Sequence, residues 1–175
     1  MTVIRLWAVL GASGVGKSTT VGHLAGDFGR GNNGLRRGRG GGLKEILLRG
    51  GGYLTIHPRR QSLQEAGKTL DESVRTITNQ SARAARRGGR LRSAHFNVLL
   101  ALRTDRVRGL PTADEYLSHF VAKGWLIEAL ALLSPTSRDE HVYKLFGAPT
   151  CYVYDSTDLD IGQMVGQVRN HFGWA

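Results

Sequence analysis

Cysteine is almost absent from the chain. Cys151 stands alone, so no intramolecular disulfide and no Cys-based zinc site can be assembled, and a reducing, cytoplasmic setting is expected. Long apolar runs are missing too. Trp125 to Leu133 contains Glu128 and falls far short of the roughly 20 residues that a membrane helix needs. Val3 to Leu10 is interrupted by Arg5 and leads into a glycine-lysine segment, where a secretory signal would carry small residues for cleavage. It reads as a buried strand, and no membrane partner is expected. Acidic residues are scarce: 14 Asp and Glu stand against 24 Lys and Arg, giving a formal charge of +10 and a pI near 10.5. Such a surface attracts polyanions, which makes nucleic acid or a highly phosphorylated substrate the first suspicion. The 175 residues are 41% hydrophobic and 22% charged, enough for one domain with a sizeable core, and this excludes a disordered tail.

Short apolar runs alternate with longer segments of helical spacing. The strands are predicted at Val3 to Leu10, Tyr53 to His57, Phe96 to Leu102, Trp125 to Leu133 and Pro149 to Tyr154. Helices are predicted at Lys17 to Ala25, Ser62 to Arg86, Thr112 to Lys123, Ser137 to Phe146 and Leu159 to Phe172. The resulting βαβαβαβαβα order predicts an α/β fold: a five-stranded parallel sheet flanked by helices, in a single domain. Thr112 and Glu115 have capping-box spacing, and Gly124 and Gly147 read as glycines that end helices.

Two segments break the alternation. Residues 29–52 hold ten glycines and six Lys or Arg, too much glycine to propagate a helix or strand, with only Leu43 to Arg49 able to form a short element. Gly50-Gly51-Gly52 reads as a turn. Arg83 to Arg92 carries five arginines. Gly29 to Arg60 has eight basic residues against Glu45, and Arg83 to Arg108 has eight against Asp105. The two stretches therefore carry 7 + 7 = +14, and the rest of the chain −4. The positive charge is local.

Gly11-Ala12-Ser13-Gly14-Val15-Gly16-Lys17-Ser18-Thr19 matches G-x-x-x-x-G-K-[ST] in full, directly after a predicted strand and directly before a predicted helix. Glycines let successive backbone N–H groups turn inward on phosphate oxygens, and the helix adds its positive end. Lys17 would reach the β and γ phosphates of ATP and Ser18 would offer its hydroxyl to Mg²⁺. A GTPase needs N-K-x-D and D-x-x-G strings, and neither occurs. No predicted strand ends in Asp-Glu, as that of a motor ATPase or helicase would. A small phosphotransferase fits, though nothing in the sequence separates ATP from GTP.

On this loop, the strand-helix alternation and the C-terminal Tyr152-Val153-Tyr154-Asp155-Ser156-Thr157 before a closing helix, the chain resembles the P-loop kinase family. The resemblance implies a three-layer P-loop kinase fold. It implies a lid at 134–147 whose Arg138 closes over the phosphates, and a loop from Asp155 to Asp158 near the adenine. It also implies an acidic magnesium partner after the third strand. Asp105 is the candidate, about three residues later than usual, and the alternative is that it only pairs with nearby arginines. Family members often end the second strand with an aspartate that takes the acceptor's proton. Here that strand ends in His57-Pro58-Arg59-Arg60, so Asp27 is preferred as base, with His57 or Asp71 as alternatives.

A small-molecule kinase has no evident need of a concentrated basic surface, whereas a nucleic-acid substrate does. Arg36, Arg37, Arg39, Arg59 and Arg60 would hold a DNA backbone, and Tyr53 or His57 would stack on a base. The alternative for 29–52 is a solvated insertion. Among DNA-directed kinases the chain looks most like the bacteriophage DNA-modification kinases, which phosphorylate the hydroxymethyl group of 5-hydroxymethyluracil within DNA. A phage origin would make the compartment the host-cell cytoplasm. Polynucleotide 5′-hydroxyl kinase, a nucleoside or nucleotide kinase, and an ATP-binding nucleic-acid protein with only slow hydrolysis are the other readings.

Overall fold

The computed structural model describes residues 2–26, 36–37, 42–87, 95–154 and 160–175, with 36, 37 and 87 described by their backbone. Among the described residues seven strands form one mixed sheet, in the spatial order β2-β3-β4-β5-β1-β6-β7. These are β1 (Val3–Gly11), β2 (Arg36–Arg37), β3 (Lys44–Leu47), β4 (Tyr53–Arg59), β5 (His95–Arg103), β6 (Leu126–Leu133) and β7 (Thr150–Val153). The five predicted strands correspond to β4, β5, β1, β6 and β7, and neighbours among them pair in parallel.

The expected five-stranded parallel sheet is corrected by the other two strands. β3 pairs antiparallel with β4, and β2 antiparallel with β3. The glycine-rich segment thus does contribute structure, where its glycine thins out at Lys44–Leu47. Gly50 to Gly52 make the turn that returns the chain to β4: Gly51 and Gly52 have φ of +85° and +82°, and the Gly51 N–H donates to the Leu48 carbonyl at 2.9 Å. Side chains rarely adopt such angles, which glycine accepts without cost.

Helices α1 (Lys17–Leu24), α2 (Leu70–Arg87), α3 (Ala113–Ala122), α4 (Ser137–Lys144) and α5 (Ile161–His171) cover both faces. Leu6, Ala8 and Leu10 of β1 pack with Ile77 of α2, Phe120 of α3 and Tyr143 of α4. Trp7 and Val9 point the other way, into a cluster with Leu24 of α1 and Val168 of α5. A strand buried on both faces must be apolar at consecutive positions, and this explains the unbroken run in β1. The two charges that interrupt the apolar runs answer one another, Arg5 of β1 donating to Glu128 of β6 at 2.6 Å.

The predicted helix from Ser62 is also corrected. Residues 63–67 are a turn and α2 begins at Leu70. Ser62 and Glu65 cap one another reciprocally at 3.1 and 3.3 Å, Gly67 then turns left-handed at φ +65°, and Thr69 with Glu72 forms a second such pair that starts the true helix. Thr112 caps α3 with Glu115 as predicted. Among the described residues no helix is long and apolar enough to cross a membrane.

Candidate functional site

β1 lies inside the sheet, between β5 and β6. The chain leaves β1 towards the β4 side and leaves β6 towards β7, so connections diverge at the carboxyl ends of two neighbouring strands. Open α/β sheets offer a crevice at such a point. The glycine-lysine loop occupies it.

Three glycines shape the loop. Gly14 and Gly16 have φ of +80° and +87°, and a Cβ on Gly11, at φ +153°, would lie 2.7 Å from the Leu133 carbonyl oxygen and 2.6 Å from Val15 Cγ2. The loop is thereby pressed against the end of β6. Gly16 is the N-cap of α1, and among the described residues no side-chain hydrogen bond caps the helix, which leaves its first N–H groups without a side-chain acceptor. Thr20 holds the start of the helix, its hydroxyl donating to the Gly16 carbonyl at 3.0 Å. Lys17 is only 5% exposed, and its Nζ donates to the Ala12 carbonyl. Burial pushes its pKa below the usual lysine range, and the nearby Arg103 cation pushes it further; Glu65 and Asp105 act in the opposite direction.

The end of β5 faces this loop. Arg103 is the register partner of Gly11, and the Thr104 N–H donates to the Gly11 carbonyl at 3.1 Å. Arg103 grips Asp105 through Nε to Oδ1 at 3.2 Å and Nη2 to Oδ2 at 2.5 Å, which holds the Asp105 carboxyl below the usual range. Gln64, 2% exposed, clamps the same strand end. Its amide donates to the Arg103 and Pro111 carbonyls at 3.0 and 3.2 Å and accepts from the Arg103 N–H at 3.3 Å. The sequence reading missed Gln64, Glu65 and Arg103. The Ser62-x-x-Glu65 spacing was the available signal for a separate turn.

Glycine backbone, a helix start, a buried lysine and a neighbouring arginine form a seat suited to a multiply charged anion such as a triphosphate. Gly11 is required at the loop's start because a Cβ there would collide with Val15 and the end of β6. The donors Ser18 and Asp105 suit Mg²⁺, which takes oxygen ligands and keeps several waters. Among the described residues no group of three or more His, Cys, Asp or Glu could hold a metal ion.

Of the remaining predicted residues, those that the structure describes lie on several different elements. Asp27, Arg39 and Asp155 lie outside the described residues, as do residues 29–35 and 156–158. Arg36 and Arg37 form β2, opposite Glu45 and Lys44 of β3. Arg138 is exposed in the first turn of α4, whose start is fixed by a Thr136–Asp139 capping box. The predicted lid segment is therefore largely helix. It borders a groove of about 530 Å³ lined by Glu140, His141, Lys144 and Tyr152 among others, whose mixed charge does not single out a polyanion. Asp71, an alternative base, meets His119 of α3 at 3.1 Å.

Arg59 is half-buried and donates to Gln80 of α2 at 3.2 Å, while Arg60 is exposed. His57 packs against Phe96 with ring centroids 6.0 Å apart. Burial, reinforced by Arg59, lowers the His57 pKa from 6.5, which favours the neutral imidazole at pH 7. Below pH 6.5 the unfolded chain binds a proton that the folded chain resists, so His57 contributes to loss of stability as the pH falls through that window. In chemical denaturation between pH 7.5 and 5.5, His57→Gln should lose less stability than wild type; parallel curves would contradict the assignment.

No protein-family model, no curated protein and no solved structure matches the chain.

Proposed function

We propose that the protein is an ATP-dependent kinase with a P-loop kinase fold, transferring the γ-phosphate to the hydroxymethyl group of 5-hydroxymethyluracil in DNA. The observation that carries the phosphotransfer reading is the buried Lys17 in a glycine loop between β1 and α1, at the point where the sheet's connections diverge. The local charge of +14 in the two basic stretches supports a polymeric, polyanionic acceptor. Resemblance to phage DNA-modification kinases supplies the choice of acceptor base.

In this reading the acceptor oxygen attacks the γ-phosphorus in line, the bond to the β–γ bridging oxygen breaks, and ADP leaves. Lys17 stabilises charge on the phosphoryl oxygens, and Arg138 joins it by closure of the segment around α4. A carboxylate, with Asp27 preferred, accepts the hydroxyl proton. Ser18 and Asp105 would hold Mg²⁺, which supplies charge neutralisation at the phosphates. Arg59 and Arg60 hold the DNA backbone together with Arg36, Arg37 and Arg39, and the acceptor base leaves the stack at a cost of a few kcal/mol.

The test is transfer of labelled γ-phosphate from ATP to duplex DNA containing 5-hydroxymethyluracil, to unmodified DNA with free 5′ hydroxyls, and to free nucleosides and nucleotides. The expected result is label at internal modified bases only. Label confined to 5′ ends or to free nucleotides would replace this acceptor with that of a polynucleotide or nucleotide kinase.

A further inference from the structure

Two cations share the space above the carboxyl ends of β1 and β5. Lys17 is buried, and Arg103, whose side chain is 12% exposed, is the register partner of Gly11 and lies near enough to Lys17 for the two charges to repel. Gln64 anchors Arg103 at both its N–H and its carbonyl, so its backbone is fixed while its guanidinium remains attached only through Asp105 among the hydrogen bonds described. Like charges held close together in a shielded site repel, and an anion bound between them relieves that repulsion. The first residue after this pair that suits Mg²⁺ is Asp105, the same carboxylate that Arg103 occupies.

We propose that Arg103 is the second phosphate-binding cation of the loop and that it exchanges partners: triphosphate draws its guanidinium away from Asp105, and the released carboxylate becomes available to the metal. The proposal rests on the triphosphate reading above and adds to it a residue and an order of events. It makes Mg²⁺ and ATP binding mutually favourable. Without metal, the move of Arg103 onto phosphate leaves Asp105 unpaired beside an anion. With metal, both charges regain a partner.

The arginine is suited to this role because its planar fork fits a carboxylate and a phosphate equally well, two N–H groups to two oxygens. A lysine would retain the charge and lose the fork.

The experiment is isothermal titration of the full chain with ATP, with Mg²⁺ and with excess chelator, for wild type, Arg103→Gln, Arg103→Lys and Asp105→Asn. Thermal melts report whether each variant is folded. Wild type should bind ATP with a clear gain from Mg²⁺. Arg103→Gln should weaken chelator-state binding on the order of ten- to a hundred-fold, the worth of a charged hydrogen-bond pair, and Arg103→Lys should recover part of it. Asp105→Asn frees Arg103, and should tighten chelator-state binding several-fold while shrinking the gain from Mg²⁺. If Arg103→Gln and wild type bind metal-free ATP equally, or Asp105→Asn leaves both affinities unchanged, Arg103 is a structural partner of Asp105 and the exchange is wrong. If wild type itself binds no ATP, the triphosphate reading fails and the exchange fails with it. Asp105→Asn keeps the question decidable should the Arg103 variants not fold.

Discussion

Replacing Lys17 by methionine should hold or raise stability while function falls. The folded chain disfavours the Lys17 cation, because burial and Arg103 both lower its pKa. Methionine has a similar length and no charge to desolvate, so the substituted protein should melt at the same temperature as wild type or above it at pH 7. The lowered pKa also gives the pH dependence its sign. The penalty is present while Lys17 is protonated in both states and disappears as the pH rises towards 10.5, where the unfolded chain also loses the proton. The advantage of the methionine variant should therefore narrow over that alkaline range. Function should fall steeply. Loss of one charged donor at phosphate costs about 1.5–3 kcal/mol of binding, and loss of a donor aimed at transition-state charge costs about 10²–10³ in rate. ATP titration and label transfer check the two losses. DNA retention should survive, since the proposed DNA contacts are assigned to residues other than Lys17; equal loss of ATP binding and DNA retention would contradict that division.

Trp174→Ala should be the most destabilising single change on the face covered by α1 and α5. The indole is 1% exposed, lies edge-on to Phe172 at 5.0 Å and sits 6.0 Å from Trp7 of β1. The backbone around it closes the β3–β4 turn: the Arg49 N–H donates to Gly173 at 3.0 Å and the Ala175 N–H to Leu47 at 2.9 Å. Truncating a buried aromatic to alanine costs about 3–5 kcal/mol, with roughly 2–4 °C of Tm lost per kcal/mol at this chain length. Trp174→Phe should cost far less. It keeps most of the apolar bulk and removes a buried indole N–H that has no hydrogen-bond partner among the described residues. Thermal and denaturant unfolding of the two variants would separate lost packing from lost hydrogen bonding.

Much of this architecture was legible because its physics is local or periodic. Consecutive apolar residues in β1, β5 and β6 announce strands covered on both faces, and glycines such as Gly124 and Gly147, at φ +79° and +67°, mark where helices stop. The loop at Gly11 to Thr19 was legible as a motif in its strand-helix setting. The antiparallel edge was not. β3 carries the alternation of only four residues inside a glycine-rich stretch, and its pairing with β4 is a tertiary fact that no local pattern supplies. The false helical start at Ser62 arose from two capping boxes seven residues apart, both real, with only Gly67 between them to signal the break.

The site divides in the same way. Lys17 is read from spacing alone. Arg103 and Gln64 are not, since they are 39 residues apart and meet only when β5 aligns beside β1. Their chemistry is ordinary in sequence, an arginine after a strand and a glutamine in a polar segment. Only the pairing of Arg103 with Gly11 in register brings its charge to the loop.

The most direct measurement is a crystal structure of the full chain with Mg²⁺ and a non-hydrolysable ATP analogue. The β and γ phosphates should lie inside the turn of Gly11 to Thr19, with Lys17 Nζ transferred from the Ala12 carbonyl to phosphate oxygen. An analogue bound elsewhere, with Lys17 still donating to Ala12, would contradict it.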